Sequence, residues 1–336
     1  MSGTSSESVA DYYEGGSGTE TTLEANEAAW RSIRFRPRVL RDVGEVSTAV
    51  DLLGVRLPSP VVVAPSALHG LAHEDGELAT ARGTAAAGNL LTLSARSSVP
   101  LEQVATALGG PWWYQVYAMR NRALTLDLAR RAAAAGATAL VLTGDTPVVG
   151  TKKRATPGLV VAETHLRNLR AQTGSDLVAA DVEQDPTIDF SFIGRLVQET
   201  GLPVLVKGVL RGDDAVSSLE AGASGVLVSN HGGRQLDRAL PTADALPEVV
   251  AAIGGSAPVL VDGGIRSGLD VLAALALGAD AVLVGRPILR ALMADGEQGV
   301  TRALETFRHE LAHSMRLAGA TALAEITGDL MAQGRR

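Results

Sequence analysis

From about residue 60 onward, the chain alternates between short apolar runs rich in β-branched residues and Ala-rich segments with helical spacing. The apolar runs cover residues 61–67, 89–95, 112–118, 139–145, 203–209, 224–230, 258–264 and 281–286. Segments between them, such as 74–87, 121–135, 211–221 and 267–277, have the pattern of amphipathic helices. Eight strand–helix repeats predict an α/β fold with a single (β/α)8 TIM barrel. An open doubly wound sheet is the alternative, but no Rossmann-type glycine fingerprint follows the first strand.

The alternation also predicts how the chain is divided. We expect residues 1–55 to form an N-terminal cap segment and residues 56–296 to form the barrel. Residues 147–188 interrupt the alternation between the fourth and fifth strands. Because a long loop inside a compact domain is usually functional, this insertion predicts a lid over the active site. Residues 297–336 are expected to form helices that pack on the barrel exterior.

Composition narrows the possible classes of function. The net charge of −7 gives no basic stripe of the kind that nucleic-acid binding requires. The absence of cysteine excludes disulfides and thiolate catalysis, and the six histidines lack zinc-site spacing, so we expect no metal. The first ten residues are polar, and no apolar run reaches the length of about 18 residues that a membrane helix needs. We therefore expect a soluble, cytoplasmic protein with no membrane or nucleic-acid partner.

Barrel enzymes carry their chemistry at the C-terminal ends of the strands. Nearly every predicted strand here ends in polar or otherwise suitable residues: Pro65, Ser66, Ala67, Ser94, Gln115, Tyr117, Thr143, Asp145, Lys207, Ser229, Asn230, His231 and Asp262. One such residue could simply satisfy local backbone groups. Their collective placement predicts an active site on this rim.

The loops after the seventh and eighth strands predict a phosphate site. They contain Gly264 with Arg266, and Gly285 with Arg286. Barrels commonly bind phosphate at this position, where glycines allow backbone N–H groups to approach the anion and arginines add charged donors. The pattern does not identify the molecule to which the phosphate belongs.

Two further strand ends indicate the reaction. Lys207 closes an apolar strand and is expected to face the barrel mouth, either as a Schiff-base lysine of an aldolase or beside the N1–C2=O edge of a flavin. An imidazole such as that of His231 suits a general base at neutral pH, and the guanidinium of Arg234 has the geometry to bind a carboxylate. Asp145 is placed to hold the histidine tautomer. The set predicts proton abstraction from an α-substituted acid.

Four motifs carry a resemblance to a known family. They are Ser-Asn-His-Gly-Gly-Arg-Gln-Leu-Asp at 229–237, Val-Lys-Gly-Val at 206–209, Asp-Gly-Gly-Ile-Arg-Ser-Gly at 262–268 and Leu-Thr-Gly-Asp-Thr-Pro at 142–147. With these motifs in this order, the chain resembles the FMN-dependent 2-hydroxy acid oxidases and dehydrogenases, which include glycolate, lactate and hydroxymandelate oxidases. The resemblance extends from about residue 11 to about residue 319 and is weakest over 148–190.

The resemblance implies FMN as cofactor and a role for each matching residue. Residues implied to contact FMN are Pro65, Ser66 and Ala67 at the N5 edge, Ser94, Gln115 and Thr143 at the ring, Lys207 against the reduced ring, Ser229 and Asp262 at the ribityl chain, and Gly264, Arg266, Gly285 and Arg286 at the phosphate. Residues implied to act on substrate are Tyr12, Tyr117 and Arg234 at the carboxylate and hydroxyl, and His231 as base with Asp145 behind it.

The implied activity is oxidation of an (S)-2-hydroxy acid to the 2-keto acid, with O2 as electron acceptor, in a homotetramer. The alternatives are a dehydrogenase with a quinone or protein acceptor, an FMN-using isomerase of the type 2 isopentenyl diphosphate isomerase kind, a lysine-based aldolase, and a non-catalytic barrel that binds a phosphorylated ligand. The histidine–arginine pair counts against the isomerase, which needs no carboxylate clamp.

Three positions depart from the family pattern, and the first is Gly144, which stands next to Asp145 where the family usually has a valine. Lys152 stands in the loop after the fourth strand where the family usually has an arginine, and lysine keeps the charge but loses the bidentate fork. Arg96 follows the second strand where relatives often carry an apolar or aromatic residue near the substrate tail. One hypothesis is that Arg96 selects a substrate with a second polar or anionic group. The alternative is a solvent-facing arginine near Glu102.

Overall fold

The computed structural model describes residues 6–152, 154, 167–170 and 179–332. The expected lid at 147–188 is therefore described only in part. Residues 153, 155–166 and 171–178 of it lie outside the described residues, as do both chain ends.

The predicted barrel is confirmed. A hairpin of β1 (Val50–Leu52) and β2 (Val55–Leu57) is followed by β3 (Val61–Val63), β4 (Leu90–Ser94), β5 (Trp112–Val116), β6 (Ala137–Thr143), β7 (Val204–Val209), β8 (Gly225–Val228), β9 (Val259–Val261) and β10 (Ala281–Val284). Strands β3 to β10 pair in parallel and in sequence order, and β10 closes on β3. All eight predicted strand runs correspond to these barrel strands.

Helices surround the barrel and precede it. They are α1 (Ser6–Glu14), α2 (Thr21–Ser32), α3 (Gly76–Ala86), α4 (Leu101–Leu108), α5 (Arg122–Ala134), α6 (Arg167–Arg170), α7 (Ser191–Thr200), α8 (Gly212–Glu220), α9 (Thr242–Ile253), α10 (Gly268–Ala276) and α11 (Arg286–Ala318). Helix α11 is bent at Asp295 and Gly296, which have non-helical backbone angles. The part of α11 after the bend packs against α3 and α10 on the outside of the barrel. None of the helices among the described residues has the length and apolarity needed to cross a membrane.

Strand periodicity separates two cores. Alternate residues point inward, and the inward set, including Val62, Trp113 and Leu205, forms one buried cluster that fills the barrel. Leu52 and Leu57 of the hairpin belong to this cluster and close one end of it. The outward set packs against the helices in a larger cluster. The site is therefore left at the opposite end, where the polar strand ends lie.

Helix α2 is fixed to that end by side-chain hydrogen bonds. The amides of Asn26 and Asn230 exchange two hydrogen bonds of 2.9 and 2.7 Å, and both residues are buried. The indole of Trp30 donates to the Gly263 carbonyl at 2.7 Å. At the start of the helix, the carboxylate of Asp237 accepts hydrogen bonds from the backbone N–H groups of Thr19 and Thr22. The N-terminal segment thus helps to build the rim.

Candidate active site

A cavity of about 510 Å3 opens at the C-terminal ends of the strands, within the size range of small-molecule sites. Seventeen of the residues assigned to the site from sequence line it: Tyr12, Pro65, Ser66, Ala67, Ser94, Arg96, Gln115, Tyr117, Lys152, Lys207, His231, Arg234, Asp262, Gly264, Arg266, Gly285 and Arg286. The three remaining ones, Thr143, Asp145 and Ser229, are not part of the lining. Each of them is hydrogen-bonded to a lining residue.

His231 is held with one ring nitrogen against the protein and the other toward the cavity. Its Nδ1 lies 3.0 Å from Asp145 Oδ1, and its Nε2 lies 3.4 Å from the Tyr117 hydroxyl. Since an ionised carboxylate only accepts hydrogen bonds, Nδ1 donates, and Nε2 of the neutral ring is left with its lone pair. The backbone of His231 is left-handed (φ 59°), and its N–H donates to Ser229 Oγ at 3.0 Å. This is the geometry of an oriented base.

The Asp145 side chain is largely buried, with 12% of it exposed, and its carboxylate stays ionised. Burial alone would raise the pKa of its carboxyl, but the charges of His231 and Lys207 outweigh burial and lower the pKa to about 2. Thr146 Oγ1 also donates to Asp145 Oδ1 at 3.1 Å. A permanent negative charge behind the imidazole would stabilise an imidazolium at His231.

Lys207 lies at the end of β7 and is paired with a carboxylate. Its ammonium donates to Ser229 Oγ at 2.8 Å and lies 3.3 Å from Asp262 Oδ2. Burial would lower the pKa of Lys207, but the charges of Asp262 and Asp145 raise it. A lysine held in its charged form is not a nucleophile, which counts against the Schiff-base aldolase.

A chain of buried polar side chains crosses the adjacent strands. Ser94 Oγ donates to Gln115 Oε1 at 3.0 Å, and Gln115 Nε2 donates to Thr143 Oγ1 at 2.7 Å. The barrel register makes this possible, because Ser94 pairs with Gln115 and Thr143 pairs with Lys207. The strand pairing therefore fixes the orientation of the amide that lines the cavity.

The loops after β9 and β10 form the predicted phosphate end. Gly264 (φ 86°) accepts no side chain, because a Cβ there would lie 2.7 Å from the Asn26 backbone. Arg266 is ion-paired with Glu27 at 2.9 Å. The guanidinium of Arg286 donates to the carbonyls of Tyr13, Gly15 and Gly232 at 2.9 to 3.1 Å. Burial and the charges of Arg234 and Arg266 lower the pKa of Arg286 to about 9. The contact of Arg286 with phosphate remains a prediction.

Arg234 and Tyr12 lie together on the other side of the histidine loop. The Arg234 guanidinium stacks 5.3 Å from the centre of the Tyr12 ring, and its NH1 group donates to the carbonyls of Tyr12 and Gly15, both at 2.7 Å. Lys152 donates through its ammonium to the Arg234 carbonyl, which joins the start of the expected lid to the histidine loop. These contacts place two cations and a phenol at one part of the cavity wall.

Arg96 also lines the cavity. Its guanidinium lies 5.5 Å from the centre of the Tyr117 ring and donates to the Val182 carbonyl at 3.3 Å. Glu102, the expected neighbour of a solvent-facing Arg96, is instead ion-paired with Arg131 at 2.9 Å. The structure therefore places Arg96 on the cavity wall, and Glu102 pairs with a different arginine.

Three residues at the site were not predicted from the sequence. Thr146 and Gln184 line the cavity, and Tyr13 supports its wall through a hydrogen bond from its hydroxyl to the Leu68 carbonyl. Tyr13 follows a predicted substrate residue directly, and Thr146 follows Asp145, so adjacency was an available signal for both. Gln184 lies in the long insertion, where no periodicity marks it.

Comparison with known proteins identifies the family. A model of the family described as FMN-dependent dehydrogenase matches residues 2–333. This chain belongs to that family. The chain is 42% identical to an L-lactate oxidase of Nostoc sp. over 96% of its length and 92% of that protein. It is 41% identical to glycolate oxidase 1 of Oryza sativa subsp. indica, over 95% of its length and 89% of the relative.

Solved structures of similar proteins support the same family assignment. A mandelate oxidase variant with the C4a-OH-FMN adduct has a TM-score of 0.87 and 42% identity, covering 96% of this chain and 94% of that one. Mandelate oxidase with (S)-2-phenylpropionate has a TM-score of 0.84 and 42% identity, covering 97% of this chain and 93% of that one. The comparisons confirm the predicted family, and with it FMN as cofactor and oxidoreductase as class.

The residues present fit FMN. Asp262 Oδ1 is buried and, within the described part of the chain, has no hydrogen-bond partner, as expected of an acceptor for a ribityl hydroxyl. Gly285 lines the cavity at the N-terminus of α11, where the helix dipole favours a phosphate. The Lys207 ammonium lines the same cavity, and its positive charge would suit a flavin ring that becomes anionic on reduction.

Proposed function

We propose that this protein oxidises an (S)-2-hydroxy acid to the corresponding 2-keto acid with His231 as the base, and that O2 reoxidises the cofactor and yields H2O2. One observation carries the proposal. The cavity that fits FMN also brings together His231, oriented by Asp145, and the carboxylate-binding groups of Arg234 and Tyr12. A base and an acid clamp beside a flavin site match the needs of this oxidation.

The proposed roles of the residues follow from their positions. Arg234 and Tyr12 bind the carboxylate, which directs the carbinol toward His231. His231 Nε2 accepts one of the two protons that the substrate loses, and the Tyr117 hydroxyl, 3.4 Å from it, donates to the substrate oxygen. Asp145 stabilises the resulting imidazolium. FMN, when bound, supplies the acceptor for the two electrons and the remaining proton.

A second set of residues holds the cofactor in this proposal. The FMN ring would be held by Gln115, Ser94, Thr143 and the backbone of Pro65, Ser66 and Ala67, with Lys207 at its anionic edge. The ribityl chain would be held by Ser229 and Asp262, and the phosphate by Gly264, Arg266, Gly285 and Arg286. Reduction of O2 to H2O2 takes up the two electrons and two protons that the substrate gives.

Named relatives support the oxidase over the dehydrogenase. The chain is 43% identical, over 97% of its length, to a protein named peroxisomal (S)-2-hydroxy-acid oxidase of Oryza sativa subsp. japonica. That name carries both the S configuration and the oxidase activity that we propose here.

An anaerobic titration tests the proposal. Purified protein with bound FMN is mixed with a panel of (S)- and (R)-2-hydroxy acids, and flavin absorbance near 450 nm is followed. We expect bleaching by S acids only, and recovery of absorbance with H2O2 formation when air is admitted. Recovery with a quinone but not with air would support the dehydrogenase instead. No bleaching by any 2-hydroxy acid would contradict the proposed function.

A further inference from the structure

The cavity is rich in positively charged residues, although the chain as a whole is negatively charged. The chain carries a net charge of −7, yet six cavity-lining residues are Lys or Arg, and Asp262 is the one lining carboxylate among the described residues. The six are Arg96, Lys152, Lys207, Arg234, Arg266 and Arg286. Such a cavity favours a ligand set with several negative charges.

Most of these cations have a partner or an assigned anion. Lys207 is paired with Asp262, and Arg266 with Glu27. The buried guanidinium of Arg286 lies at the phosphate end. Arg234 and Lys152 lie together at the proposed carboxylate clamp. The other five cations are thus balanced by protein carboxylates, one FMN phosphate, one reduced ring and one substrate carboxylate. Arg96 alone among the six has no assigned anion.

Arg96 is on a separate part of the wall and is poised to bind an anion. Within the described residues, no carboxylate lies within 4.0 Å of its guanidinium, and one of its nitrogens, NH2, donates to a protein acceptor. The side chain is half-buried and is held against the face of Tyr117. A half-buried guanidinium with unused donors can bind a carboxylate through two parallel hydrogen bonds.

The distance from the base fits a short ligand. The same Tyr117 ring contacts His231 through its hydroxyl, at 3.4 Å, and Arg96 through its face, at 5.5 Å. The positive charge of Arg96 also acts on the Tyr12 hydroxyl, together with that of Arg234. A group bound by Arg96 would thus lie over the face of the Tyr117 ring, and the reacting carbon would lie near the hydroxyl of the same ring. A chain of four or five carbons spans such a distance.

We propose that Arg96 binds a second carboxylate and that the preferred substrates are short 2-hydroxy dicarboxylic acids. This inference rests on the proposed function, because it places the reacting end of the same molecule at His231. Arg234 binds the carboxylate next to the carbinol, and Arg96 binds the distal one. Arg96 is then the residue that determines specificity, with no part in the chemical step.

Paired substrates of equal length test the inference. The kcat/KM of (S)-2-hydroxybutanedioate is compared with that of (S)-2-hydroxybutanoate, and the five-carbon pair is compared likewise. We expect the wild-type protein to prefer the diacid. In Arg96→Leu, the diacid-to-monoacid ratio should fall by about 10-fold to 100-fold, because a charge-assisted pair is lost. Arg96→Lys should recover part of the ratio, since it keeps the charge without the fork.

A surface variant serves as the control. Arg130 forms an exposed ion pair with Glu199, and Arg130→Leu should leave the diacid-to-monoacid ratio at the wild-type value. A wild-type preference for the monoacid, or equal losses on both substrates in Arg96→Leu, would overturn the inference while the proposed oxidation stands.

Binding of an unreactive diacid separates the two proposals. Butanedioate and butanoate lack the hydroxyl, so the shift in Tm and the change in flavin absorbance report binding alone. We expect butanedioate to bind more tightly than butanoate to the wild-type protein and to lose that advantage in Arg96→Leu. If no 2-hydroxy acid reduces the flavin, the proposed function fails, and this measurement still decides the role of Arg96. Equal binding of the two acids to the wild-type protein would overturn it.

Discussion

The two sides of the cavity differ in how their cations are held. On the side of β7, β9 and β10, Lys207, Arg266 and Arg286 are fixed by carboxylates or by three backbone carbonyls. On the side of β4 and β5, Arg96 has one carbonyl and one aromatic ring. Under the proposed assignment, the first side binds the cofactor and its cations are already held by protein groups. The second side binds the substrate and keeps unused donors on Arg96.

Loss of the base should have the largest effect on catalysis. It should also show that FMN binding on the side of β7, β9 and β10 does not depend on His231. His231→Asn removes the base while asparagine tolerates the left-handed backbone at this position. We expect kcat to fall by about 10² to 10⁴-fold. FMN content, read from absorbance, should equal that of the wild-type protein. A kcat within twofold of wild type would contradict the role of His231, and loss of FMN would show that the two sides are coupled.

Replacement of Arg234, the proposed carboxylate-binding residue, should have the next largest effect on catalysis. Arg234→Lys keeps the charge but loses the fork and the hydrogen bonds to the Tyr12 and Gly15 carbonyls. We expect kcat/KM to fall by about 100-fold, mainly through KM, because the carboxylate clamp is broken. Arg238→Lys, on the exposed end of the same loop, is the matched control and should leave kcat/KM unchanged.

Helix α2 supports the side of the cavity formed by β7, β9 and β10, and thermal unfolding can measure how much it contributes. Asn26→Ala removes both hydrogen bonds to Asn230 and leaves buried polar groups without partners. We expect the free energy of unfolding to fall by about 1–3 kcal/mol, seen as a Tm lower by several degrees in thermal unfolding. Glu24→Ala, exposed on the same helix, should have little effect. Equal Tm values for the two variants would mean that the paired amides do not stabilise the rim.

The smallest effect is expected at Lys152 and concerns pH. Partial burial of its ammonium, with the charges of Arg234 and Arg286, lowers the pKa of Lys152 to about 8. Below that pH the lysine is charged and attracts the substrate, and above it the attraction is lost. KM should therefore rise a few-fold between about pH 7 and pH 9. Lys152→Arg stays charged over this range, and its KM should not rise. A rise of equal size in both proteins would assign the pH effect to another group.

The sequence predicted the barrel and its polar rim because both depend on local periodicity. Once strands of period two alternate with helices, the polar residues that end each strand must meet at one rim, as Ser94, Gln115 and Thr143 do. The contacts between His231 and Asp145 follow from the same rule, since each residue lies just beyond a barrel strand.

The remaining parts of the site depend on contacts that no local pattern encodes. Arg96 donates to the Val182 carbonyl of the long insertion, while Glu102 is ion-paired with Arg131. The capping of α2 by Asp237 joins residues 218 positions apart. Charge alone made Glu102 a plausible partner for Arg96, and only the packed structure shows which arginine it contacts.

The grip of Arg286 and Arg234 on the carbonyls of Tyr12, Tyr13 and Gly15 spans 219 to 273 positions of the chain. Contacts of such sequence separation close late in folding, because the loop entropy must be overcome first. The wall of the cavity is therefore complete only when α1 and the first turn of α11 are both docked at the same end of the barrel.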